Sequence, residues 1–199
     1  MSPRHYSDYG DGGCNASLTL TALAQQTDVR RALDAPEIDV YMITAYDSVT
    51  FGDCTHHLYL RPDFYTAENT AALIAEYSDF TLFLYKSYSG TRKKFIITNW
   101  ESDNTVYCGD AHGYASDAAV RAACDARYRV LYGNSSPDET LAGLRKWFEA
   151  RQRGITEGRT RAAALGLGSS LVADTLETGN LGHLREHART WVQAIRTRA

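Results

Sequence analysis

The sequence predicts an α/β fold: a partial (β/α)8, or TIM, barrel with parallel strands and long amphipathic helices, completed by a second chain. Three observations lead there. Short strand-forming runs alternate with long stretches of three- and four-residue apolar periodicity, the order of parallel βαβ units. Only three such runs stand out in 199 residues, whereas a closed barrel takes eight strands and about 250 residues. Carboxylates follow two of the runs, Glu101 after one and Glu177 after another, and reactive side chains of such barrels sit at the C-terminal ends of strands.

Residues 1–14 read as a polar, Gly-rich arm, and 15–199 as the partial barrel domain. Asn15 or Ser17 would cap a helix carrying Leu18, Leu23, Val29 and Leu33, ended by Pro36. Val40 to Tyr46 is the first strand, because β-branched and aromatic residues dominate it. A polar loop runs from Asp47 to Asp63. Thr66 caps a long helix to Tyr88, whose Leu73, Ile74, Tyr77, Phe80, Leu84 and Tyr88 make an apolar stripe. Gly90 stops it, and Phe95 to Thr98 is the second strand. Residues 102–115 read as loop and Ala118 to Tyr128 as helix. Ser136-Pro137-Asp138-Glu139 starts the next helix with a capping box and a first-turn proline. That helix reaches Leu165, a strand spans Leu171 to Leu176, and a last helix spans Leu181 to Arg198. The chain ends where a further strand is due, and a sheet of three strands keeps edges that invite another chain.

Composition narrows the partners. A net charge of -3 gives no reason to expect nucleic acid or an acidic membrane. No apolar run is long enough for a membrane span, and the first residues lack a signal core. The cytoplasm is the expected location. The four cysteines, Cys14, Cys54, Cys108 and Cys124, show no C-x-x-C spacing, so free thiols in a reducing cell are expected rather than zinc or a redox motif. Gly166-Leu167-Gly168 precedes a strand instead of following one, the wrong order for a dinucleotide loop. No metal and no organic cofactor is expected.

The candidate site is built on strand ends. Phe95, Ile97, Asn99 and Glu101 alternate on one side of their strand, as do Leu171, Ala173, Thr175 and Glu177 on theirs. If both rows face the barrel axis, the glutamates meet at one mouth. One would then donate a proton and the other act as base or nucleophile. A separation of about 5 to 5.5 Å suits a retaining glycosidase, and about 6.5 to 9.5 Å an inverting one. Asn99 is a candidate for holding a substrate hydroxyl, and Asp103 for organising the loop. Tyr46 and Asp47 close the first strand and are expected to reach the same mouth as substrate contacts, Tyr46 donating a hydrogen bond to developing negative charge; the alternative is aromatic packing for Tyr46 and a solvated Asp47. His57, beside His56, is a candidate for anion contact from the loop above. Arg92, Lys93 and Lys94 begin a strand and read as solvated charge; Arg151 is mid-helix and reads as structural.

Three motifs carry a family resemblance. They are Asn99-Trp100-Glu101-Ser102-Asp103, then Trp147 with Ala150-Arg151-Gln152-Arg153-Gly154-Ile155 and Arg159, then Leu176-Glu177-Thr178-Gly179-Asn180. In this order the chain resembles a family of bacterial and fungal glycoside-hydrolase-like TIM-barrel proteins with an Asn-Trp-Glu-Gly-Asp strand end, over roughly residues 38 to 180. The resemblance implies a TIM barrel, a small-molecule substrate, and Asn180 beside Glu177 in the site. It also implies a further Ser-Tyr-Ser strand that this chain lacks, which points again to a second polypeptide. Ser102 replaces the family's glycine. Asn104 stands where an aromatic residue often follows, removing a platform for a sugar ring.

The expected function is therefore cofactor-independent acid/base chemistry by a split-barrel subunit in natural-product biosynthesis. Two-component proteins that close aziridine rings in actinobacterial products are one class such a subunit would suit, although the motifs themselves reach the barrel family and not this reaction. The alternatives are a glycoside hydrolase acting through Glu101 and Glu177, and a non-catalytic binding or scaffold subunit.

Overall fold

Strand β1, Val40–Thr44, is apolar at most positions yet alternates in burial, with Tyr41 and Ile43 on one buried side and Val40 and Met42 exposed on the other. The computed structural model describes residues 18–51, 58–98, 106–131, 136–168 and 171–175. Strand β2 spans Lys94–Thr98 and β3 spans Val172–Asp174. The three form a parallel sheet in the order β1-β2-β3. The fold is mixed α/β with mostly helix, as the alternation predicted.

The helices match the expected order with several shifts. The first expected helix is two, α1 (Leu20–Ala24) and α2 (Thr27–Asp34). Thr19, not Asn15 or Ser17, caps α1 by accepting from the Ala22 N–H at 3.2 Å. The cap and the break fall on Thr19 and Gln25-Gln26, polar positions that carry no apolar period to reveal them. Helix α3 (Ala67–Tyr88) is capped by Thr66 as expected. Inside the loop expected from Asp47 to Asp63 lie two 3-10 turns, Leu58–Leu60 and Pro62–Phe64. The expected loop at 102–115 contains a 3-10 turn at Val106–Gly109 and helix α4, Ala111–Ser116. Helix α5 is Ala118–Leu131, and α6 is Pro137–Ala164. The capping box forms: the Ser136 N–H donates to Glu139 Oε2 at 2.6 Å, and the Glu139 N–H to Ser136 Oγ at 3.2 Å. The helix expected over 181–198 lies outside the described residues.

The chain divides into two compact units. Among the described residues, the first takes in 18–51, 66–98, 150–168 and 171–175, and the second 58–65, 106–131 and 136–149.

In the first unit, the predicted stripe of α3 is buried in full: Leu73, Ile74, Tyr77, Phe80, Leu84 and Tyr88. It meets the sheet side formed by Tyr41, Ile43, Phe95, Ile97 and Val172, also buried. Phe95 stacks on Tyr41 at 5.3 Å between ring centroids and leans on Tyr88 at 5.1 Å. Residues 150–164 of α6 pack against α3 through glycine. A Cβ on Gly154 would lie 2.5 Å from the Ile74 carbonyl oxygen, and one on Gly158 2.5 Å from Thr81 Cβ. The two helices thus approach to backbone contact, which only a residue without a side chain permits.

On the opposite side of the sheet, no described helix packs. Val40 is 56% exposed and Met42 53% exposed. Met42, Ile96 and Ala173 are register partners across the three strands and form one row on this side. A sheet buried by helices on one side only leaves apolar surface in water, which parallel sheets rarely do.

The second unit holds Tyr59 against Trp147 at 5.6 Å, and the Lys146 ammonium on the Pro62 carbonyl at 2.9 Å. A disulfide joins Cys108 to Cys124, with Cα atoms 5.9 Å apart. This corrects the expectation of free thiols for these two residues. They stand far apart as a sequence pair because the hairpin of α4 and α5 is what brings them together.

Candidate functional site

Asp47 and Asp174 come at the C-terminal ends of β1 and β3, and both are drawn inward. The Ala45 N–H donates to the Thr98 carbonyl at 3.1 Å, continuing the pairing past β1. The chain then turns at Asp47, which is 0% exposed. Its Oδ1 accepts from the Thr50 N–H at 2.6 Å and from Thr50 Oγ1 at 2.9 Å. The Tyr77 hydroxyl, arriving from α3, donates to the Ala45 carbonyl at 3.2 Å and to Asp47 Oδ2 at 3.4 Å. The expectation of a solvated Asp47 is therefore corrected: short local bonds from Thr50 replace its water. Tyr46 is half-buried, edge-on to Phe51 at 4.7 Å between centroids.

Glu76, next to Tyr77 on α3, holds two segments at once. Its Oε1 accepts from the Leu20 N–H and the Ser48 N–H, each at 2.9 Å, and its Oε2 accepts from Ser48 Oγ at 2.6 Å. One carboxylate thereby ties the start of α1 to the turn after β1. Burial first, and then the negative charge of Asp47, push the Glu76 carboxyl above its ordinary value, while the Ser48 and Leu20 donors act against the rise. Tyr77 is raised well above an ordinary phenol by burial and by Asp47, with Arg151 opposing. It therefore stays a neutral hydrogen-bond donor.

Arg151 serves the other end of the sheet. It lies on α6, is 2% exposed, and donates through Nη2 to Asp174 Oδ1 at 2.9 Å and to the Thr175 carbonyl at 2.7 Å. The Thr175 N–H in turn donates to the Ile97 carbonyl at 3.0 Å. Arg159, one helical face further on, donates to the Val172 carbonyl at 2.8 Å. Three carboxylates and one guanidinium thus surround Tyr77 at the C-terminal ends of the strands. Arg151 fixes Thr175, which precedes Leu176 and Glu177, while Thr98, the residue before Asn99, is held by the Ala45 N–H.

Asn99, Glu101, Asp103, His57, Glu177 and Asn180 lie outside the described residues. The strand parity that led to them is partly corrected. Phe95 and Ile97 are buried on the helix-covered side, whereas Ala173 is exposed on the other. Phe95 pairs in register with Val172 and Ile97 with Asp174, so the row of Leu171, Ala173 and Thr175 does not share a side with the row of Phe95 and Ile97. Parity counts alternation within one strand; the register between strands is set by pairing, which the sequence does not display.

Arg92, Lys93 and Lys94 were expected to be solvated. Arg92 is, in an open pair with Asp39 at 3.3 Å. The Lys93 ammonium instead donates to the carbonyls of Ala35 and Ile38 and to the Tyr41 hydroxyl, at 2.6, 3.0 and 3.1 Å. It neutralises carbonyls just past the end of α2. These residues line a cleft of about 530 Å³ at the N-terminal ends of the strands, away from Asp47 and Asp174.

Glu76 and Asp174 escaped sequence reasoning because each sits inside an apolar run. That interruption was itself the available signal: a charged residue amid buried neighbours needs a partner. Among the described residues no group of three or more His, Cys, Asp or Glu side chains is arranged to hold a metal ion, and no helix is long and apolar enough to cross a membrane. The chain matches no protein-family model, no curated protein and no solved structure.

Proposed function

We propose that this chain is one subunit of a split (β/α)8-barrel enzyme that performs cofactor-independent acid/base chemistry on a small molecule, in natural-product biosynthesis. The observation that supports the reading is a parallel sheet with bonded carboxylates at the C-terminal ends of β1 and β3, together with exposed Val40 and Met42 on the side where no described helix packs. A barrel buries that side against further strands. The occupant we assign to it is a different polypeptide that supplies parallel strands at the β1 and β3 edges. The subunit is placed in the cytoplasm.

In this reading Glu101 and Glu177 do the chemistry, drawing on the sequence motifs rather than on strand parity, which the pairing register does not support, and Asn99, Asp103, Tyr46, His57 and Asn180 contact substrate. Asp47 moves to a supporting role, since its oxygens are engaged by Thr50 and Tyr77. For an aziridine-forming step, a glutamate accepts a proton from the substrate amine. The nitrogen lone pair forms the new N–C bond as the bond from that carbon to its leaving group breaks. The glutamate leaves as a carboxylic acid and the leaving group takes the bonding pair, so no redox partner enters.

The test is co-expression with the protein encoded next to it, followed by size-exclusion chromatography and product detection by mass spectrometry on an amine with an adjacent leaving group. A hetero-complex whose turnover falls at least about 10²-fold in Glu101→Gln or Glu177→Gln is expected. Full activity in both variants would show a scaffold subunit, and a self-associated chain that ignores the neighbour would remove the split barrel. The Asn99-Trp100-Glu101 motif also favours a second reading, glycoside hydrolysis, which predicts release of a chromophore from an aryl glycoside by the same complex.

A further inference from the structure

Two adjacent non-glycine residues, Tyr107 and Cys108, occupy left-handed backbone with φ of 53° and 58°. L-residues avoid this region because Cβ crowds the following carbonyl oxygen, and a pair in succession persists only when surrounding contacts impose it. The contacts are visible. Tyr107 is buried with its ring 5.0 Å from that of Tyr114. The Tyr114 hydroxyl donates to Asp125 Oδ1 on α5 at 3.0 Å. Cys108 is bonded to Cys124, one residue before Asp125 on the same helix. Thus one covalent link and one hydrogen bond tie the strained segment to neighbouring positions of α5. Cys124 is buried and Cys108 half-buried, so attack from solvent reaches Cys108 first.

We propose that Cys108–Cys124 is a redox latch: oxidised, it holds residues 107–114 in their strained conformation; reduced by a cellular thiol such as glutathione, it releases them. A disulfide that closes a strained and partly accessible segment is of the labile, regulatory kind, and in a reducing compartment disulfides are mostly of that kind. The exchange balances simply. A glutathione thiolate attacks one sulfur and forms a mixed disulfide, freeing one protein thiolate. A second glutathione displaces the other, so two electrons pass to the protein, two protein thiols form and one glutathione disulfide leaves. Cys108 follows Glu101 by seven residues in the sequence, so the latch governs the chain leading out of that motif, whichever reaction the motif serves.

Hydrogen exchange with peptide-resolved alkylation, on the full chain purified without reductant, tests the latch. Oxidised protein is expected to protect Cys108 and Cys124 from alkylation. Glutathione at a cytosolic reduced-to-oxidised ratio should open the bond and speed exchange across 106–116 about tenfold or more, with residues 67–88 of α3 unchanged. The Cys108→Ser/Cys124→Ser variant should exchange like reduced wild type in both buffers. The proposal is overturned if the bond does not form, if it resists glutathione at that ratio, or if reduction leaves exchange at 106–116 unchanged. If the double variant fails to fold, oxidised and reduced wild type decide the matter alone. None of these readouts depends on enzymatic turnover, so a failed latch and a failed split barrel are separate results.

Discussion

Replacing Arg151 by Met keeps an unbranched apolar stem on α6 and removes the guanidinium. The pair it breaks is buried on both sides: Arg151 is 2% exposed and Asp174 13% exposed, with 2.9 Å between them. Attraction between such charges is about 4 kcal/mol at roughly 4 Å and an effective dielectric near 20. Removing one member also strands the other, and the usual loss for a buried pair is about 3–5 kcal/mol. The Thr175 carbonyl loses its charged donor as well, so the upper half of that range is expected. At a urea dependence of roughly 2 kcal/mol per molar, the midpoint should fall by about 2 M. Urea melts followed by far-ultraviolet circular dichroism measure this directly. Adding Asp174→Asn should restore much of the loss, because the stranded charge is then gone. A midpoint drop under about 0.5 M, the scale of a solvent-exposed pair, would refute the reasoning, and so would a double variant no better than the single.

Gly158→Ala trades a gain in helix propensity of about 1 kcal/mol against a Cβ placed 2.5 Å from Thr81 Cβ and 2.7 Å from the Ser78 carbonyl oxygen. Overpacking of this kind costs about 1–3 kcal/mol, so the thermal midpoint should fall; a rise would show that α3 and α6 can separate freely. Glu76→Gln keeps acceptors for Leu20 and Ser48 while removing the charge. Because the folded-state carboxyl of Glu76 is raised, its ionised form weakens the fold above the raised value. That penalty fades as pH falls through the folded value and is absent below the unfolded value near 4.5. The stability of wild type relative to Glu76→Gln should therefore increase as pH falls toward the unfolded value near 4.5, and a pH-independent difference in denaturation midpoints would contradict it.

Amphipathic period made α3 legible, down to each buried member of its stripe, and the capping box located the start of α6 to the residue. The three strands and their parallel direction followed from alternation with helices. What stayed hidden depends on contacts distant in sequence. Glu76 makes its bonds to Leu20 and Ser48, 56 and 28 positions away. Cys108 and Cys124 meet through a helical hairpin whose first arm falls in a stretch read as loop and whose second is the expected helix. Asp47 was placed correctly at a strand end, yet its burial turns on Thr50 and Tyr77, one local and one remote. Of the proposed site, the motif residues lie outside the described residues and only the strand ends beside them are in view; the network of Asp47, Glu76, Tyr77, Arg151 and Asp174 was the part that no strand-end motif could announce.

The uncovered row of Met42, Ile96 and Ala173 has a consequence for how a cell must make this protein. An apolar strip beside strand edges that no described strand pairs is what chaperones bind and what nucleates aggregation. Copies synthesised in excess of whatever covers the strip would be held, degraded or lost to inclusion bodies. If a second chain covers the strip, as proposed above, supply would need to be matched copy for copy, most simply by translating both chains from one message. The level of this subunit would then report the level of its companion, falling through turnover when the companion's gene alone is silenced.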